Sequence, residues 1–177
     1  MPNLFTPKRP LIIDNIGMSQ DFLKWLTDLL AQYDTTLVEW FKLLPLKANH
    51  MYRGQCKYPV RVQKGSRSFK SGYRIRNSIH KDVKKYPYTC THIKKGTITH
   101  DLLGDKYCNY YEYVYHEETF VDREELLAFI CGHEMHHWLR HSKQIGGRNT
   151  EPAADQFGLH ILQDWRLWKG YGSGNNI

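Results

Sequence analysis

No apolar run in the 177-residue chain approaches eighteen uncharged residues, so a membrane-spanning helix is not expected. The opening MPNLFTPKRPLIID has neither the long apolar core nor the small-residue cleavage site of a secretory signal. Together these absences predict a cytoplasmic protein with no membrane partner. Cysteine is sparse: the four residues at 56, 90, 108 and 131 form no CxxC pair. Reduced thiols are therefore expected instead of a disulfide framework. Internal repeats and low-complexity linkers are absent too. Acidic residues nearly vanish from one stretch, where eleven Lys and Arg between Arg53 and Lys85 are accompanied by Asp82 alone. Such a segment suits either the solvated positions of amphipathic hairpins or contact with DNA or an acidic partner.

What is present describes one α+β domain, with 41% apolar and 24% charged residues. Ser19 precedes FLKWLTDLLAQY, where Phe22, Leu23, Trp25, Leu26, Leu29, Leu30 and Tyr33 share a helical stripe. A second short helix is expected from about Thr36 to Leu44, stopped by Pro45, completing a helical part over residues 15–45. Residues 53–116 are the basic, β-rich part. Val60 and Val62 alternate with Arg61 and Gln63 before the turn signal Lys64-Gly65-Ser66; Tyr73, Ile75, Asn77 and Ile79 alternate with Arg74, Arg76 and Ser78. Thr89 to Lys94 and Thr97 to Thr99 flank Gly96, read as a turn, and the tyrosine-rich 107–116 reads as a further strand. Two helices fall within 122–168, and the glycine-rich end, 169–177, reads as a flexible tail.

Chemistry concentrates in CGHEMHHWLR, which ends at Arg140. Asp122 and Glu125 open a helix through this stretch, Asp122 as cap and Glu125 closing a capping box. His133 and His137, four apart, project from one helix face and suit two nitrogen ligands of a tetrahedral zinc ion. Glu134, about 100° further round, borders that face and can reach a water instead of the metal. A catalytic zinc needs a third protein ligand, and GRNTEPAADQFGLHILQDW offers Glu151. Pro152 fits the first turn of its helix, and Asp155, four residues on, can hydrogen-bond a ligand histidine. Ala153, Ala154 and Gly158 let the two helices approach closely. His136, His141 and His160 are spare imidazoles. A di-iron site would need a second E-x-x-H, which the chain lacks.

H-E-x-x-H followed by E-x-x-x-D resembles the gluzincin metallopeptidases, and NTEPAADQFG looks most like the compact ImmA/IrrE-type intracellular peptidases. The resemblance spans roughly residues 122–165. The second motif departs from the family's N-E-x-x-A-x-x-F-A in having Thr150 before the glutamate, Pro152 after it, and Gly158 in place of alanine. It implies a zincin-like domain, with an antiparallel or mixed sheet on the H-E-x-x-H helix, and one Zn2+ per chain held by His133, His137 and Glu151. Glu134 is then the general base, and the substrate a protein or peptide of regulatory kind, such as a repressor. Such enzymes use an extra Tyr or His to hold the oxyanion; His160, Tyr113, Tyr115 and Tyr171 are candidates. An edge strand, expected at 107–116, would bind substrate as an added strand. Other readings are a nucleic-acid-binding protein with a structural metal and a peptidase-like module without turnover.

Overall fold

The computed structural model of the chain describes residues 11–46, 50–64, 67–101 and 109–170. A short strand, β1 (Leu11–Asp14), leads into α1 (Gln20–Leu30). The Ser19 hydroxyl accepts from the Phe22 amide at 3.1 Å and starts that helix. Its stripe of Phe22, Trp25, Leu26, Leu29 and Leu30 is buried as expected.

The helix expected over Thr36–Leu44 is instead a strand, β2 (Val38–Leu46), and β1 had no sequence expectation at all. LVEWFKLL satisfies both helical and strand periods, so its neighbours decide. After β2 come β3 (Tyr52–Lys57), β4 (Arg61–Lys64), β5 (Arg67–Lys70) and β6 (Tyr73–His80). The main sheet has the order β1-β2-β6-β3. β1, β2 and β6 run parallel, and β3 is antiparallel to β6 at the edge. β2 pairs with β6 along most of its length and with β1 over Trp40–Leu43, and Phe41 and Leu43 alternate into the core with no exposure. The expected helical part, residues 15–45, therefore holds one helix followed by a strand.

A separate antiparallel pair follows, β7 (Tyr88–Asp101) with β8 (Asn109–Phe120). Gly96 does not turn the chain. It lies inside β7, where the register shifts between Lys94 and Gly96, so the glycine marks an irregular strand instead. Gly65, Ser66 and residues 171–177 lie outside the described residues, and with them the expected hairpin turn and most of the tail. No helix of the described residues is long and apolar enough to cross a membrane.

Two long helices complete the fold, α2 (Arg123–His141) and α3 (Glu151–Trp168). Asp122 caps α2 by accepting from the Glu124 and Glu125 amides at 2.8 and 2.9 Å. Glu125 reaches back one residue further than expected, to the Val121 amide at 2.9 Å. The reason is its second partner: Arg166 of α3 grips both Glu125 oxygens, at 3.1 and 2.8 Å. The same guanidinium reaches Glu118 at 3.0 Å and the Thr119 carbonyl at 2.9 Å, tying β8, α2 and α3 together. Glu125 is 2% exposed. Arg166→Ala strands that carboxylate and is expected to destabilise the fold by about 3–5 kcal/mol. Urea unfolding checks this, with Arg166→Lys recovering only part of the loss because the two-pronged contact is gone.

Between the helices the backbones nearly touch. A Cβ built on Gly132 would stand 2.8 Å from Ile161 Cβ and 2.9 Å from Gly158 Cα, and one on Gly158 would stand 2.7 Å from the Phe129 carbonyl oxygen. This crossing sets how near the start of α3 comes to the middle of α2.

Candidate metal centre

α2 buries most of its length, including Cys131, Glu134, Met135 and Trp138, while His133 and His137 look out into a cleft of about 500 Å³. Their Nε2 atoms are 3.1 Å apart. The close crossing at Gly132 and Gly158 brings the first turn of α3 alongside. Glu151 Oε2 lies 3.4 Å from His133 Nε2, and Oε1 lies 3.5 Å from His137 Nε2. All three residues offer ligand atoms within 4.8 Å of one another, so the group can hold a metal ion. Ligands at zinc distance on a tetrahedron are separated by about 3.3 Å, which these spacings bracket.

Both imidazoles are held from behind. Asp155 Oδ1 lies 2.7 Å from His133 Nδ1, the contact anticipated from sequence, and Asp155 Oδ2 accepts from the Lys94 amide at 2.7 Å. Asn149, which sequence reasoning passed over, places Oδ1 2.8 Å from His137 Nδ1 and donates through Nδ2 to the Tyr58 hydroxyl at 3.1 Å. Each acceptor fixes a proton on Nδ1 and leaves the Nε2 lone pair aimed at the centre. The residue two places before Glu151 was the available signal for Asn149.

Charge in the centre favours a cation. Burial depresses the His133 pKa, but hydrogen bonds to Asp155 and Glu151 and the charges of Glu134 and Asp155 outweigh it and lift the value to about 9. The Glu151 carboxyl is lowered to about 2, chiefly by its hydrogen bond to His133, against the opposing effect of burial. The carboxylates that hold a proton on His133 would equally hold a metal ion there.

Glu134 stands apart from this trio. Its Oε1 is 4.0 Å from His133 Nε2, and the residue is 5% exposed. Burial pushes its pKa up to about 7; nearby Glu151 adds to the rise, while His133 and the Cys56 amide oppose it. Room for the carboxylate comes from Gly54 of β3, where an added Cβ would meet Glu134 Oε1 at 2.1 Å. A lone glycine inside a strand marks a close approach of this kind, and that signal was legible in YRGQCK.

The spare histidines are elsewhere. His136 is buried with its ring 5.7 Å from Phe157, and burial followed by the charges of His137 and His133 lowers its pKa to about 4. His141 stacks on Tyr58 at 4.2 Å and meets the Tyr73 hydroxyl through Nδ1 at 2.8 Å. His160 is exposed, 6.4 Å from the Phe157 ring, and does not line the cleft. Tyr113 and Tyr115 are exposed and do not line the cleft, Tyr113 lying under the Lys94 ammonium at 4.4 Å and Tyr115 beside His92 at 5.8 Å. Tyr171 lies outside the described residues. Besides the metal group, Glu134 and Asp155, the polar residues that line the cleft are Tyr52, Gln55, Cys56, Tyr58, His92 and Lys94.

The strand along the cleft also differs from expectation. No described β8 residue lines it; Tyr52, Gly54, Gln55 and Cys56 of β3 do. The Met51 carbonyl accepts from His80 at the end of β6, so alternation turns the Gly54 and Cys56 backbone away from β6. The Cys56 amide accordingly serves Glu134. No family model, curated protein or solved structure matches this chain.

Proposed function

We propose that the chain is a zinc-dependent endopeptidase acting on intracellular proteins. One observation carries the reading: a triangle of two imidazoles and a carboxylate, at spacings suited to tetrahedral zinc, adjoins a buried glutamate that is excluded from that triangle. Four-residue spacing on α2 and the close crossing of α3 support a zincin-like reading of this α+β domain, and the resemblance to ImmA/IrrE-type peptidases points to a regulatory protease with a narrow set of targets.

His133, His137 and Glu151 would hold the ion, and two imidazoles with one carboxylate match the donor set of catalytic zinc. When bound there, zinc supplies Lewis acidity towards a carbonyl oxygen and lowers the pKa of water. Glu134, buried beside the ligand face, accepts the proton released as water attacks the peptide carbon and passes it to the departing amine. Asp155 and Asn149 keep the imidazoles turned towards the ion. A peptide laid along β3 meets the outward-turned backbone of Gly54 and the Cys56 carbonyl, while the Cys56 amide stays with Glu134. Tyr58, His92 or Lys94 replaces the earlier candidates for holding the oxyanion, because these side chains line the cleft.

The test is metal removal with a peptide-mixture substrate read by mass spectrometry. Purified protein is expected to generate new termini, a strong chelator to stop this, and stoichiometric zinc to restore it. Cleavage that survives complete metal removal, or its absence from zinc-loaded protein across a proteome-derived peptide mixture, overturns the reading.

A further inference from the structure

We propose that the face of the main sheet turned away from the helices, continued by the β4–β5 ribbon, is a docking surface for double-stranded DNA. The proposal is independent of the peptidase reading. Register places the cations in rows. Lys57 pairs with Arg74, which pairs with Trp40; Gln55 pairs with Arg76, which pairs with Lys42; Arg53 pairs with Ser78, which pairs with Leu44. Phe41, Leu43, Ile75 and Ile79 occupy the alternate positions and are buried in the core, so these rows belong to the other face.

Arg53, Lys57 and Arg76 are exposed, and no carboxylate of the described residues pairs with them. Arg74 is neutralised by Glu39 at 2.6 Å, the one ion pair described on this face. Beyond Tyr58-Pro59-Val60 the same two strands resume as the ribbon. There Arg61 stands opposite Lys70 at one end and Lys64 opposite Arg67 at the other. In register, basic positions thus continue from the sheet into the two-stranded ribbon. Outside residues 53–85, acidic residues outnumber basic ones, so the excess positive charge of the chain lies in the stretch that supplies this face and ribbon.

Three features choose the occupant. The sheet face itself carries no strongly exposed large apolar residue; Tyr58 and Val60 are exposed only at its junction with the ribbon, so a protein partner lacks a central apolar anchor on the face. Stacking of unpaired bases needs an open aromatic face, and Trp40 is covered by the Lys42 ammonium at 4.3 Å. A two-stranded ribbon fits the major groove of B-form DNA, whereas that of duplex RNA is too deep and narrow. Phosphate contacts then dominate, and binding is sequence-independent and steeply salt-dependent.

The experiment is fluorescence anisotropy of a labelled DNA duplex of about 20 base pairs with the full chain, over a salt series. Some five phosphate contacts give a log–log slope near −4 to −5, a loss of roughly 500-fold between about 50 and 200 mM salt. Arg53→Glu/Arg76→Glu is expected to weaken binding more than about tenfold and reduce the slope by about 2. Lys24→Glu/Lys95→Glu, the same charge change at exposed positions elsewhere, is expected to stay within about threefold of wild type. Arg53→Gln/Arg76→Gln gives an intermediate loss, a check that does not depend on how well the reversal folds. Metal-stripped protein is expected to bind as the loaded protein does. Absent or salt-independent binding, equal losses in the two double variants, or tighter binding to single strands, duplex RNA or polyglutamate overturns the proposal.

Discussion

Glu134→Gln is expected to keep its zinc and lose about 10²–10⁴-fold in peptide hydrolysis. The substitution preserves volume against Gly54, where even a methyl group has no room, and it leaves an oxygen able to accept from the Cys56 amide. Metal content and fold should therefore stay at wild-type levels, since the carboxylate is not among the three grouped ligands. What disappears is the buried carboxylate beside the ligand face, the group placed to take the proton of the attacking water and return it to the leaving amine. The measurements are turnover on the peptide mixture and elemental mass spectrometry of the same preparation. Undiminished cleavage by the zinc-loaded variant removes Glu134 from the mechanism; loss of the zinc would make it a ligand.

Glu151→Ala is expected to abolish stable metal binding, from about one zinc per chain to below roughly a tenth after purification without chelator. The glutamate is 54% exposed as a side chain, so its removal leaves no buried cavity, and α3 retains Thr150 as its cap. Two imidazoles alone cannot complete the donor set. The loss should exceed the 10–100-fold that partners outside the ligand set are worth. Full zinc in the variant would require another third ligand. His136, His141 and His160 are poorly placed for that, packed respectively against Phe157, against Tyr58 and on the exposed side of α3. Circular dichroism of the variant, expected to match wild type, separates loss of a ligand from loss of the helix.

The legible parts of the chain were those whose determinants are local. Ser19 and Asp122 cap their helices because a side-chain oxygen finds free amides within three residues, a contact any sequence window contains. His133 and His137 had to face the same way once α2 was a helix, and so did Glu151 and Asp155 on α3. Even Gly54 carried a readable mark, although nothing in the sequence said that Glu134 was the group it admits. LVEWFKLL was misread because its local pattern supports two periods; β1 and β6, 27 or more residues away from its middle in opposite directions, decide between them. Gly96 was misread for a related reason: pairing with β8 carries β7 straight through it.

The site shows the same division. His160, Tyr113 and Tyr115 were chosen for their chemistry, and the cleft is lined instead by Tyr58, His92 and Lys94, whose approach depends on how β3 and β7 lie against the helices. Asn149 became visible only when the segment before α3 was seen beside His137. By itself the sequence determined which residues could serve as ligands and base, because helix periodicity turns a spacing of four into a shared face. Tertiary structure alone decided that two such faces meet. That depends on Gly132 and Gly158, where missing side chains let two helix backbones close until carboxylate and imidazoles stand within reach of one ion.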